Sequence, residues 1–406
     1  MDQKREIRYF AAVHFLMTSM NSYWSYCTNY FRDMGFSSTE IGTINAAGTF
    51  FAMLLLPVVG LISDKTRSPR KVMFALITII LPASLVLALC GWLNYPAYGL
   101  FLVLSVIIIG ARQSANSTMD AWAGAELERM HVSFGSIRRF GSFGYICVSM
   151  IGVALFGPVL PTWTCLMFSV VTGIPMLLLV GGRSGDAYSR PVEAKEKTEK
   201  LSVLLKQLFC NYYFVTYMFL VMAFDLFLGV VNLDMSYLMD YVGAPTSSIG
   251  LVGSVRAATE IVVMIIMSRQ KKLPPYWMML VASGVLIALE HLLYPAASSV
   301  LHLCLITMFC SGLSGGMFYG IGANYVFKVV DSRVGSTAMA VLGVAKSLVG
   351  VIGSGLGGTI IDKFGVTTLT TGVGILALIL TGLFFVSCVY GRFIRKKPYV
   401  SEQETA

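Results

Sequence analysis

Apolar runs long enough to cross a bilayer recur along this chain, separated by short polar gaps. A spanning helix needs about 20 predominantly apolar residues. Twelve windows qualify, near residues 7–31, 41–63, 72–93, 98–126, 137–160, 162–182, 208–239, 247–268, 275–294, 298–327, 335–361 and 366–391. The pattern predicts an all-α membrane protein of twelve transmembrane helices. Its one long polar stretch, residues 183–206, falls halfway along. It separates an N-terminal six-helix bundle, residues 1–182, from a C-terminal one, residues 207–406. Two similar halves joined by a charged linker predict bundles that rock about a site near the midplane. Glycines crowd the tenth and eleventh spans, as at Gly315, Gly316, Gly357 and Gly358. In lipid, such small residues permit close helix packing.

Charge supplies the orientation. Lys and Arg together number 30, and nearly all fall in alternate gaps. Lys4, Arg5 and Arg8 precede the first span, Lys65 to Lys71 follow the second, and Arg183 to Lys206 follow the sixth. Arg129 after the fourth span, Arg269 to Lys272, Lys328 with Arg333, and Arg392 to Lys397 complete the series, whereas the opposite gaps hold only Arg32 and Lys363. The positive-inside rule then puts both termini and the linker in the cytoplasm. At 56% apolar and 13% charged, the chain is not a soluble globule. The net charge of +9 fits a solvated face against anionic lipid and carries no nucleic-acid pattern. The eight cysteines show no paired spacing. His14, His131, His291 and His302 form no metal-ligand motif, and no nucleophile motif suggests an enzyme or a cofactor. The first span lacks a small-residue cleavage site, so no cleavable signal peptide is expected.

Residues Gly60-Leu61-Ile62-Ser63-Asp64-Lys65-Thr66-Arg67-Ser68-Pro69-Arg70-Lys71 resemble the loop signature of the major facilitator superfamily. An acid and several bases there would form a charge clasp at the cytoplasmic mouth. Gly60, Asp64, Lys65 and Arg70 are the gate residues that the resemblance implies. Arg67 stands where the family usually has glycine. Within the superfamily the chain is similar to the lactose permease-like oligosaccharide/proton symporters. The similarity is strongest from Ser38 to Lys71, and in Asp120 followed by Gly135-Ser136-Ile137-Arg138-Arg139-Phe140 and Tyr145. It implies that Asp120 on span four and Arg138 on span five clasp a sugar, with Tyr145 stacking where the family has tryptophan. It also implies that Lys346 on span eleven pairs with an acid on span seven, Asp225 first and Asp234 second.

Chemistry gives these residues a reading of their own. A charge at bilayer centre costs about 2.5–3.5 kcal/mol even on the lenient insertion scale. Arg112, Arg138, Arg139, Arg256 and Lys346 should therefore face acids or a wet cavity, and Asp120, Asp225, Asp234, Glu260 and Glu290 are available. A carboxylate accepts sugar hydroxyls, and guanidinium presents a planar fork. A structural ion pair pinning spans four and five is the alternative for Asp120 and Arg138. Arg112 lies two turns from Asp120 on one face, facing the cavity or serving as an anion site. Asn21, Trp24 and Thr28 form a stripe on span one that contacts substrate or glues helices.

Span ten has Thr307 and Cys310 where the symporters have histidine and glutamate. Either proton coupling then falls to Glu260, one turn from Arg256, with Glu290 in reserve, or the protein is a facilitator. Beside Glu290, His291 either titrates near neutrality or is simply solvated near a helix end. The leading expectation is a monomeric secondary transporter of the cytoplasmic membrane that takes up a sugar or glycoside with a proton. A nucleoside, aromatic acid or drug-like solute is one alternative, and a non-transporting sensor is another.

Overall fold

The computed structural model describes residues 3–66, 68–130, 135–183, 201–270, 273–330 and 335–391. Among them the regular structure is helical, apart from a single bridge between Phe156 and Leu160. Among the described residues, nine helices are long and apolar enough to cross a bilayer, and a bent pair, Ser202–Cys210 and Tyr212–Phe227, supplies a tenth. The other two of the twelve are the first and fifth spans, Gln3–Ser22 with its continuation and Gly135–Leu155. They carry His14, Thr18, Asn21, Arg138 and Arg139, which dilute their apolar character. Outward side chains such as Leu178 and Leu301, 68% and 66% exposed, form the surface that lipid would cover.

Some helices begin where the sequence supplies a side-chain cap. Ser68 accepts a hydrogen bond from the Lys71 N–H at 3.3 Å, with Pro69 in the first turn of span three, Pro69–Trp92. Asn211 accepts from the Phe214 N–H at 3.1 Å and starts span seven, Tyr212–Tyr241. Each satisfies an N–H that the helix cannot, worth about 1 kcal/mol. The Asn211 cap coincides with an 86° bend, so Leu201–Cys210 is a separate helix and the predicted start at 208 falls inside it. The segment expected as linker is thus partly helical. Its first residue is also anchored: Arg183 lies 2.8 Å from Glu6 and 4.4 Å from the centre of the Tyr9 ring.

Two spans are irregular inside the membrane. Span one passes through a 3₁₀ turn, Tyr23–Tyr26, before Cys27–Asp33. Span ten runs through Val300–Thr307, a π turn Met308–Gly312, and Leu313–Val329. Such departures stand out in otherwise regular helices and often mark functional sites.

Span two is Ser38–Thr66, span four Tyr98–Arg129, span six Thr164–Gly181, span eight Ile249–Arg269, span nine Tyr276–Leu293, span eleven Gly335–Phe364 and span twelve Val366–Val389. Spans one to six pack on one another, as do seven to twelve. The two groups meet chiefly through span two on eleven and span five on eight. A Cβ on Gly42 would lie 2.5 Å from the Ser354 carbonyl oxygen and 3.3 Å from the Gly358 Cα, so glycine permits the approach of spans two and eleven.

The polar contacts that join described residues across the groups gather at the end remote from the chain termini. Arg32 reaches the Asp240 carboxylate and the Ser236 hydroxyl, and its guanidinium lies 4.4 Å from the centre of the Tyr237 ring. Asn29 donates to the Thr246 carbonyl at 3.2 Å and accepts from Ser236. The bundles are therefore clasped at that end and leave a cleft toward the base-rich end.

Candidate functional site

Two connected compartments lie between the groups. The central one, about 420 Å³, is lined by Trp24, Thr28, Asn45, Arg112, Gln113, Tyr145, Asp225, Arg256, Glu290, Tyr294, Thr307 and Lys346, among others. The second, about 460 Å³, lies nearer the base-rich end and is lined by His14, Thr18, Asn116, Asp120, Arg138, Tyr145, Arg256 and Glu260, among others. Both volumes fall within the roughly 300–1,000 Å³ of small-ligand sites. Ser25, Tyr145, Gly253 and Arg256 border both. Tyr145 from the first group abuts Gly253 of the second, where any Cβ would collide with its hydroxyl.

In the second compartment Arg138 Nη1 lies 3.9 Å from Asp120 Oδ2. Their side chains are 64% and 44% exposed, so water screens the pair and leaves both groups accessible to a solute. His14 Nε2 lies 3.4 Å from Asp120 Oδ1, and His14 Nδ1 donates to the Phe10 carbonyl at 2.9 Å. A carbonyl only accepts, so Nδ1 bears a hydrogen in this contact, which turns Nε2 toward the acid. Arg256 Nε lies 3.0 Å from Glu260 Oε1, one turn along span eight.

In the central compartment Lys346 Nζ lies 3.3 Å from Asp225 Oδ2 and 6.0 Å from the centre of the Tyr319 ring. Asp234, the second-choice partner, is instead fully buried, with neither carboxylate oxygen hydrogen-bonded. Glu290 is buried and accepts from the Tyr294 hydroxyl at 2.5 Å; that hydroxyl also lies 3.3 Å from Thr307 Oγ1. Arg112 Nη1 donates to the Asn21 carbonyl at 3.1 Å, and its guanidinium lies 5.1 Å from the centre of the Trp24 ring.

Of the span-one stripe, Trp24 and Thr28 reach the central cavity. The Asn21 side chain donates to Asn116 at 2.9 Å and joins spans one and four. The expectation that His291 is solvated is corrected. It is fully buried and donates through Nδ1 to the Ile287 carbonyl at 2.9 Å, because span nine ends beneath Tyr294 rather than in water. Of the gate residues, Lys65 is exposed, Arg70 half-buried, and nothing lies within 4 Å of a Cβ built on Gly60. The Asp64 side chain and Arg67 lie outside the described residues. His14, Asn45, Gln113, Asn116 and Tyr294 are site residues that the sequence reading does not include. Arg112, Asn116 and Asp120 recur at four-residue spacing, and that polar stripe is the signal by which Asn116 could be found.

A profile of the MFS_1 like family matches residues 7–370. The chain belongs to this family of major facilitator transporters. It is therefore a multi-pass membrane transporter and not an enzyme. A transporter of Bacillus subtilis (strain 168), YwbF, described as uncharacterized, is 22% identical over 332 residues, 80% of this chain and 77% of the relative. Among solved structures, a variant of the nucleoside transporter NupG superposes with a TM-score of 0.80 at 14% identity, over 94% of this chain and 99% of that one. A POT family transporter in complex with 5-aminolevulinic acid gives 0.71 at 14% identity, over 94% and 96%. These likenesses concern the fold.

Proposed function

We propose that the protein imports a sugar or glycoside across the cytoplasmic membrane together with a proton, as a monomer with both termini in the cytoplasm. Residues 1–182 and 207–406 rock about the cavity, with 183–206 linking them. The observation that carries this reading is the accessible Asp120–Arg138 pair, in one compartment with Tyr145 at its inner wall. Carboxylate and guanidinium accept from and donate to hydroxyls, and the ring offers a flat face to the apolar side of a pyranose. With the base-rich end taken as cytoplasmic, the clasp at the remote end supports reading this arrangement as the cytoplasm-facing state.

Coupling is assigned to Glu260 and Arg256, with Glu290 as the second acid. Glu260 faces the same compartment as Asp120, so a solute that reorganises the site reaches both groups. Lys346 and Asp225 hold spans seven and eleven together. Gly60, Asp64, Lys65 and Arg70 form the cytoplasmic gate.

A nucleoside is the second reading, favoured by the shape likeness to NupG and by the two aromatic walls, Trp24 and Tyr145, of the central cavity. A thermal-shift screen of purified protein against mono-, di- and trisaccharides and nucleosides separates the two. A ligand at a hundred times its Kd adds about 2.7 kcal/mol of stability. Stabilisation by saccharides supports the first reading, and stabilisation by nucleosides alone replaces it with the second.

A further inference from the structure

Among the described residues, the charges lining the central cavity are paired with one exception on each wall. Lys346 is held by Asp225 and Arg256 by Glu260. Glu290, from the second group, takes a hydrogen bond from Tyr294 on one oxygen, and its other oxygen meets no donor in bonding geometry. Arg112, from the first group, has no acid within ion-pair distance among the described residues. Its contacts there are the Asn21 carbonyl and the Trp24 ring.

A guanidinium carries five donors in one plane. In Arg112 the Asn21 carbonyl takes one of them, and Cζ lies over the Trp24 ring, 5.1 Å from its centre. Among the described residues the remaining Arg112 donors have no hydrogen-bond acceptor, and the group lies on a wall of the cavity. An uncompensated cation within the membrane is costly. A ligand that brings a planar pair of acceptors cancels that cost and gains two parallel charge-assisted hydrogen bonds. Lysine at this position would keep the charge but lose the fork, and the fork is what selects a carboxylate over a single hydroxyl.

We propose that Arg112, backed by Trp24, is a carboxylate-binding subsite of the central cavity, and that the transported solute bears a carboxylate, as a sugar acid does. The inference rests on the transporter reading above and narrows its substrate class. Glu290 on the facing wall keeps a free oxygen for a hydroxyl or ammonium of the same solute.

The test is calorimetric titration of the purified full-length protein with matched pairs: glucose and glucuronate, galactose and galacturonate, adenosine and its 5′-carboxylate, benzyl alcohol and benzoate. Each is repeated with Arg112→Gln and Arg112→Lys. The expected result is a carboxylate that binds the parent at least tenfold tighter than its neutral partner. Arg112→Gln should erase that preference, and Arg112→Lys should keep part of it. No preference in any pair, or a preference that Arg112→Gln retains, overturns the inference. Should Arg112→Gln fail to fold, the parent pairs and Arg112→Lys still decide. Binding of neutral sugars alone leaves the sugar reading standing and removes this one. Preference for a non-sugar acid does the reverse.

Discussion

Asp362, near the end of span eleven, caps span two of the other bundle at Thr39. Its carboxylate accepts from the Thr39 N–H at 2.7 Å and the Thr39 hydroxyl at 2.5 Å, and also from the Ser38 N–H at 3.1 Å. An acid at a helix N-terminus satisfies orphan donors and opposes the helix dipole. Here the acid belongs to the opposite bundle, so the cap exists only while the remote end is closed.

Asp362→Ala should therefore loosen that end. Loss of a cap costs about 0.5–2 kcal/mol. Hydrogen exchange at the Ser38 and Thr39 amides should speed up, while amides in the middle of span two stay protected. Unchanged exchange at both would show that the cap contributes nothing to closure.

Arg32 supplies the second clasp, to Asp240 and Ser236. Arg32→Ala should raise the labelling, from the remote side, of a cysteine placed at Asn45 on the cavity wall. The exchanged pair Arg32→Asp with Asp240→Arg should lower it again. Equal labelling in all three proteins would remove Arg32 from the gate.

Lys346 and Asp225 are 35% and 21% exposed, so the pair is partly screened. Removing either alone should destabilise the protein more than removing both, with a coupling energy of roughly 0.5–3 kcal/mol. Thermal unfolding of the two single variants and the double variant measures it. Strict additivity would mean that the contact does not hold the spans.

Asp120→Asn and Arg138→Lys should each abolish binding of the best ligand while the protein remains folded. Lysine keeps the charge but cannot reproduce the planar fork. Parent-like affinity in Arg138→Lys would place the site elsewhere.

Much of this architecture is legible in the sequence because bilayer thickness and the placement of bases are one-dimensional signals. The Asp120–Arg138 pair is legible through the resemblance to the symporters, since it joins two separate helices. Irregular backbone is not: nothing in the pattern announces the 3₁₀ turn at Tyr23–Tyr26 or the π turn at Met308–Gly312. The burial of His291 is hidden as well, because nearness to a helix end says little about depth when Tyr294 continues the packing. The Asp362 cap joins residues more than three hundred positions apart, and only the docking of the bundles brings them together.

The central claim, solute exchange through a cavity that opens alternately to either side, is tested most directly by counterflow in proteoliposomes with the best-binding saccharide. The parent and Glu260→Gln should both exchange labelled for unlabelled solute, because exchange requires no net proton release. Only the parent should accumulate solute on an imposed proton gradient. Absence of counterflow in the parent would contradict the transport reading, and undiminished accumulation by Glu260→Gln would contradict the coupling assignment.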